Sequence, residues 1–132
     1  MGYVEVESEM KPYIHAQNSV RAFGGKVEDY LPVHDFLDES KAHFPDMRHR
    51  ALLHSSWGIY LAERVLGHTI TNSDGRIVQV RDVAERHIIE DMGHIPTVQD
   101  YLQGMPMYDW LGGPKRKPQR TIDMTTTLDI KD

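Results

Sequence analysis

The sequence predicts a mainly α-helical protein, a compact bundle of about five helices with one small β-hairpin. Apolar residues recur at helical spacing over long stretches, above all between residues 51 and 66. Glycines and prolines stand where such stretches would begin or end. Alternating β-branched residues are confined to about residues 68–80. The chain of 132 residues is therefore expected to form a single helical domain over residues 1–111.

The boundaries of the first three helices follow from these residues. A first helix should cover about Pro12 to Ala22 and end at Gly24. A second should run from about Glu28 to His43, and a third from Pro45 to Gly67, which should stop it. The third helix is the most strongly predicted of all, because its apolar stripe is the broadest.

The second half of the chain begins with the hairpin. β-branched runs flank the turn residues Asn72 to Gly75, which predicts a β-hairpin over about residues 68–80. Asp82 should cap a helix from about Val83 to Met92, and Thr97 should cap a short final helix.

Composition narrows the chemistry that the chain can perform. It has no cysteine, which excludes disulfides, thiolate zinc sites, iron–sulfur clusters and a cysteine nucleophile. The net charge of −5 argues against nucleic acid as the partner, although residues 112–132 form a basic, Thr-rich tail that should be mobile. No apolar run approaches the roughly 18 residues of a membrane span, and no signal-peptide pattern is present. A cytoplasmic protein without membrane partners is therefore expected.

Two predicted helices each carry a histidine and an aspartate four residues apart. Residues i and i+4 share a helix face, which aligns His34 with Asp38 and His87 with Asp91. If these faces converge, their side chains project into the bundle and build a metal site, as in many helix bundles.

The third predicted helix places His54 on the same face as Arg50 and Asp46. His49 should lie about 140° around that helix from His54, since each residue turns the helix by about 100°. The two imidazoles are therefore not expected to ligate one ion equally well, although both could flank a wide or two-metal cleft. Lys41 and Arg50 are the candidate catalytic residues, because their cationic groups would neutralise phosphate charge.

The dipeptide His34-Asp35 follows Leu-Pro-Val and precedes Phe-Leu. It resembles the central motif of the HD-domain metal phosphohydrolases, in which an adjacent His and Asp bind metal with an earlier His and a later Asp. The resemblance implies that His34 and Asp35 are ligands, with His15 as the earlier ligand and Asp91 as the later one.

The predicted metal ligands combine the helix faces with this resemblance. They are His34, Asp35, Asp38, His54, His87 and Asp91. Their donor atoms suit a divalent ion such as Mn, Fe, Ni or Zn. An alternative looks the same in sequence: each acid would simply satisfy a buried imidazole by hydrogen bonding, with no metal. The other histidines, His15, His43, His68 and His94, are expected to lie mostly at the surface.

A broader resemblance covers residues 10–111. It rests on GGKVEDYLPVHDFLDESKAHFPDMRHRALLHSSWGIYLAERVLG and on TNSDGRIVQVRDVAERHIIEDMGHIPTVQDYL. These runs are similar to a family of small uncharacterised phage and bacterial proteins. The resemblance implies a mainly helical domain and a viral setting, hence the cytoplasm of a host, and it implies no activity.

The leading hypothesis is a metal-dependent hydrolase that acts on a phosphate ester or nucleotide through a His/Asp site in a helical bundle. One alternative is a non-catalytic binding module, for example a phage protein that sequesters a nucleotide signal or a host protein. Another is a structural or assembly protein, and a homo-oligomer is compatible with each. The ββα order of residues 68–92 also resembles the His-metal finger nucleases, which would employ His68, Asn72 and His87.

Overall fold

The computed structural model describes residues 11–113, which form six α-helices and a two-stranded antiparallel sheet. The helices are α1 (Pro12–Phe23), α2 (Val27–Asp38), α3 (Arg50–Leu53), α4 (Ser56–Leu66), α5 (Val80–Met92) and α6 (Val98–Leu102). The strands are β1 (Thr69–Thr71) and β2 (Ile77–Gln79), and 3₁₀ turns lie at Glu39–Ala42, Met47–His49 and Asp109–Leu111. The predicted helical fold and its hairpin are confirmed over these residues. The predicted tail, apart from Gly112 and Gly113, lies outside them.

Four helices enclose the core. α1 packs along α2, and α5 packs against α1, α2 and α4. Fully buried apolar side chains between these helices include Ala16, Tyr30, Leu37, Ala62 and Ile88. The interior also holds histidines that are at most 1% exposed, namely His15, His34, His49, His54 and His87. Buried imidazoles at this density require polar partners or a ligand.

The prediction of one long third helix from Pro45 to Gly67 is wrong. The chain forms a 3₁₀ turn and the short α3, and then breaks at His54 and Ser55 before α4 begins. Ser55 is the N-cap of α4, and its hydroxyl accepts a hydrogen bond from the Gly58 amide. Serine at this position competes with helix continuation by satisfying the first free amides of the next helix. The break leaves His54 fully buried.

The other predicted boundaries lie close to the observed ones. α1 agrees with its prediction, and the second helix ends at Asp38 before a 3₁₀ turn continues the chain. Asp82 does not cap α5, which begins at Val80 directly after β2. Thr97 caps α6 as predicted, in a capping box with Asp100.

The hairpin turn is fastened to the loop between α1 and α2. The side-chain amide of Asn72 donates to the Phe23 carbonyl (3.1 Å) and to the Tyr30 hydroxyl (3.0 Å). The Asp74 carboxylate accepts a hydrogen bond from the Gly25 amide (2.9 Å). These bonds hold the start of α5 in place, because β2 leads into α5 with no residue between them.

Candidate metal centre

Four side chains from separate parts of the fold converge in the interior. Asp38 ends α2, His54 stands at the break between α3 and α4, and His87 and Asp91 share one face of α5. The His54 and His87 side chains are fully buried, while Asp91 is 2% and Asp38 7% exposed. Each residue offers one nitrogen or oxygen atom, and these four atoms lie within 4.8 Å of one another. We call these four residues the His–Asp cluster.

Four of the six distances within the His–Asp cluster are close to those between the ligands of one tetrahedral ion. His54 Nε2 lies 2.9 Å from Asp91 Oδ2 and 3.6 Å from Asp38 Oδ1. His87 Nε2 lies 3.3 Å and 3.4 Å from the same oxygens of Asp91 and Asp38. Ligands held tetrahedrally at about 2.0–2.2 Å from a metal lie about 3.3–3.6 Å from one another. One ion could therefore be bound with only small side-chain shifts.

Buried polar atoms in the cluster also fit a cation. Asp38 Oδ2, His54 Nδ1 and His87 Nε2 are buried and have no hydrogen-bond partner among residues 11–113. Buried polar groups in folded proteins are nearly always paired, so each such atom calls for an explanation. A divalent ion would supply one for the lone pair of His87 Nε2, and it would also supply one for Asp38 Oδ2 if both oxygens of that carboxylate bound it.

The charges of the cluster suit a divalent cation. Burial alone would raise the pKa of Asp91, but hydrogen bonds from His15 and His54 and the nearby ring of His87 hold it well below its usual value. Burial would likewise raise the pKa of Asp38, and the imidazoles of His87 and His54 lower it. Burial lowers the pKa of His54, which keeps that ring neutral. The two carboxylates thus balance a charge of about +2.

His15 holds Asp91 from the side away from the cluster. Its Nε2 lies 3.1 Å from Asp91 Oδ1, and its Nδ1 lies 2.7 Å from Glu90 Oε1. Burial alone would lower the pKa of His15, but these two carboxylates raise it to about 9. His15 is therefore an imidazolium at neutral pH and donates both bonds. Since Oδ1 of Asp91 is occupied in this way, Oδ2 is the oxygen that faces the cluster.

His34 reaches the cluster only through His87. Its Nδ1 lies 2.9 Å from His87 Nδ1, and its Nε2 lies 2.8 Å from the Ser19 hydroxyl. Burial lowers the pKa of His34 to about 2, and the neighbouring imidazoles add to this effect. The ring is therefore neutral, and both of its nitrogens are already hydrogen-bonded. His15, His34 and His87 form a second group of neighbouring imidazoles.

Two acids predicted at the site lie elsewhere. Asp35 is exposed on α2, whereas Asp38, one turn beyond His34, faces the interior. The adjacent His-Asp pair implied by the HD-domain resemblance therefore does not meet in the cluster. Asp46 is exposed and pairs with a neighbouring arginine at 2.7 Å, because the helix break removes its alignment with His54.

The two predicted catalytic cations border the carboxylates of the cluster. The Arg50 guanidinium lies 3.6 Å from Asp91 Oδ1 and is 14% exposed, and its buried Nε has no hydrogen-bond partner within the described part of the chain. Lys41 is half-buried just after α2. Burial raises the pKa of Asp38, and the charge of Lys41 is one of the effects that lower it. Arg50 therefore lies beside Asp91, and Lys41 is close enough to Asp38 to influence its pKa.

Two buried histidines lie outside the predicted ligand set, although the HD-domain resemblance named His15 as an earlier ligand. His15 was expected at the surface, yet it shares α1 with Ser19 at the same i, i+4 spacing that identified the other helices, with a hydroxyl in place of the acid. His49 hydrogen-bonds through Nδ1 with the Ser40 hydroxyl (3.1 Å), and its ring meets the His54 ring edge-on at 5.6 Å. The predicted 140° separation between His49 and His54 fails because no continuous helix joins them.

The remaining histidines, His43, His68 and His94, are exposed as expected. His68 and Asn72 do not join His87: His68 is exposed, and Asn72 is hydrogen-bonded to the loop that follows α1. The structure therefore does not bring together the three residues that a His-metal finger site would need.

Fold and cluster together define a small helical protein with a buried His–carboxylate centre whose geometry fits a divalent metal. The chain belongs to the family described as a domain of unknown function, DUF6915, whose model matches residues 10–111. No curated protein and no solved structure matches the chain. Within residues 11–113, no helix has the length and apolar content needed to cross a membrane.

Proposed function

We propose that this protein binds one divalent transition-metal ion through Asp38, His54, His87 and Asp91. The observation that supports the proposal best is the spacing of the four ligand atoms, 2.9–3.6 Å along the four measured edges. Two imidazoles and two carboxylates without sulfur suit Zn, Mn, Fe or Ni. His34 and Asp35 are not ligands in this proposal, since His34 is hydrogen-bonded at both nitrogens and Asp35 is exposed.

Elemental analysis of protein purified without an affinity tag tests the proposal. One equivalent of metal per chain is expected, either as purified or after loading with Mn, Fe, Ni or Zn. His54→Ala should lose this equivalent, whereas His94→Ala, which changes an exposed histidine, should retain it. Absence of metal from the wild-type protein after loading would overturn the proposal.

We propose further that the metal centre hydrolyses a phosphate ester or nucleotide. A divalent ion supplies Lewis acidity, which lowers the pKa of water and polarises a phosphoryl oxygen. Arg50 and Lys41 border the two carboxylates, and cations placed there would bind and orient a phosphate group. Among the four ligands, Asp38 has the most exposed side chain, so it marks the side from which a substrate would approach.

A panel of phosphodiesters, phosphomonoesters and nucleotides tests this activity. Turnover by the loaded wild-type protein should be lost with a chelator and restored by metal. Arg50→Gln should raise KM more than it lowers kcat if Arg50 binds the phosphate. Stoichiometric metal without turnover on any member of the panel would contradict hydrolysis and leave the metal site standing.

A second candidate function is a binding module in which the metal is structural. His54 and His87 are completely buried, which favours a structural metal. Four protein ligands also fill a tetrahedral site, whereas a catalytic site keeps one position open. An open groove of about 580 Å³ lies beside the break and would take a ligand or partner; it is lined by Ser56, Trp57, Tyr60, Thr97, Val98 and Gln99. Calorimetric binding of a nucleotide without turnover would favour sequestration over hydrolysis.

A further inference from the structure

We infer that Ser19 and His34 are positioning residues that form a hydrogen-bonded chain able to accept the Nδ1 proton of His87 in the metal-bound state, so that His87 Nε2 presents a lone pair to the metal. The inference rests on the metal site proposed above and concerns residues behind it. Its basis is a continuous hydrogen-bonded chain, from the Ser19 hydroxyl to His34 Nε2 (2.8 Å) and from His34 Nδ1 to His87 Nδ1 (2.9 Å).

The contact between the two Nδ1 atoms requires one shared proton. Two bare nitrogens would repel each other at 2.9 Å, and two N–H groups would clash. One ring must therefore donate and the other accept. Both rings are fully buried, so neither can satisfy its nitrogen with bulk water instead.

Two arrangements of this chain are possible, and they differ at the metal site. In the first, Ser19 donates to His34, His34 donates to His87, and His87 carries its proton on Nε2, between carboxylate oxygens of Asp38 and Asp91 at 3.4 Å and 3.3 Å. In the second, every bond is reversed: His87 donates from Nδ1, and His34 donates from Nε2 to the Ser19 oxygen. Only the second leaves His87 Nε2 bare, as a metal ligand must be.

Metal binding selects the second arrangement without changing the number of protons on either ring. His87 releases its Nε2 proton to solvent and receives one at Nδ1 from His34. His34 receives one at Nε2 from solvent, and the Ser19 hydroxyl turns from donor to acceptor. A carboxylate in the place of His34 would accept in both states and could not donate. An imidazole and a hydroxyl do both, so the chain stays hydrogen-bonded with and without metal.

The second group of imidazoles is not a metal site of its own in this inference. His34 Nδ1 and His87 Nδ1 are joined by their hydrogen bond. Both nitrogens of His15 are bonded to carboxylates, Glu90 and Asp91. His15 and His34 therefore lie behind the metal ligands and bind no ion, and His87 alone of the three rings is a ligand.

Nitrogen-15 NMR of the histidine rings tests the inference directly, because the two neutral tautomers have different ring shifts. The full chain is compared without metal and with one equivalent of zinc, which is diamagnetic. His34 should change from the Nδ1–H to the Nε2–H tautomer on loading, and His87 from Nε2–H to Nδ1–H. Zinc affinity is measured in parallel by competition with a chelator.

Ser19→Ala removes the far end of the chain without touching a ligand, and its zinc affinity should fall about 10-fold, the lower end of the effect of outer-shell partners. Ser40→Ala is the matched control, because it removes another buried serine–histidine bond, to His49, and it should leave the His34 tautomer change intact.

Four outcomes decide whether Ser19 and His34 act as inferred. A tautomer change of His34 on loading, together with weaker zinc binding by Ser19→Ala, supports the inference. Zinc binding with an unchanged His34 tautomer, or with equal affinity in Ser19→Ala, overturns it and leaves the metal site intact. Two zinc equivalents with loss of the His34–His87 bond overturn it in favour of a second site. No zinc in the wild type overturns the metal site and the inference together.

Discussion

Gly58 packs directly against the main-chain carbonyl of Leu53, so that a Cβ on Gly58 would collide with that carbonyl. This contact lets α4 begin at once after the break that positions His54. Gly58→Ala should therefore lower the free energy of unfolding by at least about 2 kcal/mol, as overpacking against rigid backbone does. Urea unfolding measures the change. Gly104→Ala is the control, because its Cβ would meet nothing within 4 Å, and a similar loss in both variants would contradict the assignment.

Two aspartates on α2 test which carboxylate binds the metal. Asp38 faces the cluster and Asp35 faces solvent. Asp38→Asn should weaken metal binding by more than about 100-fold, beyond the range of outer-shell changes, because it removes a ligand charge. Asp35→Asn should leave affinity unchanged. Chelator competition measures both. Equal losses would contradict the assignment of Asp38 as the ligand, and a loss in Asp35→Asn alone would favour the HD-domain arrangement of ligands.

His15 should make the stability of the metal-free protein fall on the alkaline side. Its folded pKa of about 9 lies above its ordinary value of 6.5, so protonation favours the folded state. That stabilisation is complete below pH 6.5 and is lost as the pH rises to about 9. Wild type should lose up to about 3 kcal/mol more over this range than His15→Gln, at 1.36 kcal/mol per pKa unit. Urea unfolding at several pH values in chelator measures this, and parallel curves for the two proteins would contradict it.

Metal loading should stabilise the fold, since the ligands come from α2, the break and α5 and are brought together only in the folded state. At a free metal concentration of about 100 times Kd, the gain should be about 2.7 kcal/mol. Thermal unfolding with and without metal measures it. His94→Ala should respond as the wild type does and His54→Ala should not. Stabilisation of His54→Ala would place the metal outside the His–Asp cluster.

The parts of the site that the sequence could predict are those fixed by local helix geometry. His87 and Asp91 lie four residues apart on α5, and His34 and Asp38 do so on α2. Such spacing places the two side chains on the same helix face, however the helix packs. Which of these atoms face the cluster depends on hydrogen bonds across helices, so the placing of His34 behind His87 was beyond local reasoning.

The break before Ser55 could not be predicted from periodicity, because the apolar pattern continues through it. Its cause is a cap and a close backbone contact, Ser55 with the Gly58 amide and Gly58 with the Leu53 carbonyl. Both depend on a conformation that the helical pattern does not encode. Because of the same break, Asp46 lies away from the site, although its spacing from His54 predicted that the two share a helix face.

The bonds from Asn72 and Asp74 to the loop after α1 act on the metal centre from a distance. Because β2 passes into α5 without a linker, the hairpin sets the rotational phase of that helix. One residue inserted or deleted at the junction would turn α5 by about 100°. His87 and Asp91 would then no longer face the interior. The hairpin thus determines the direction in which two of the four ligands point.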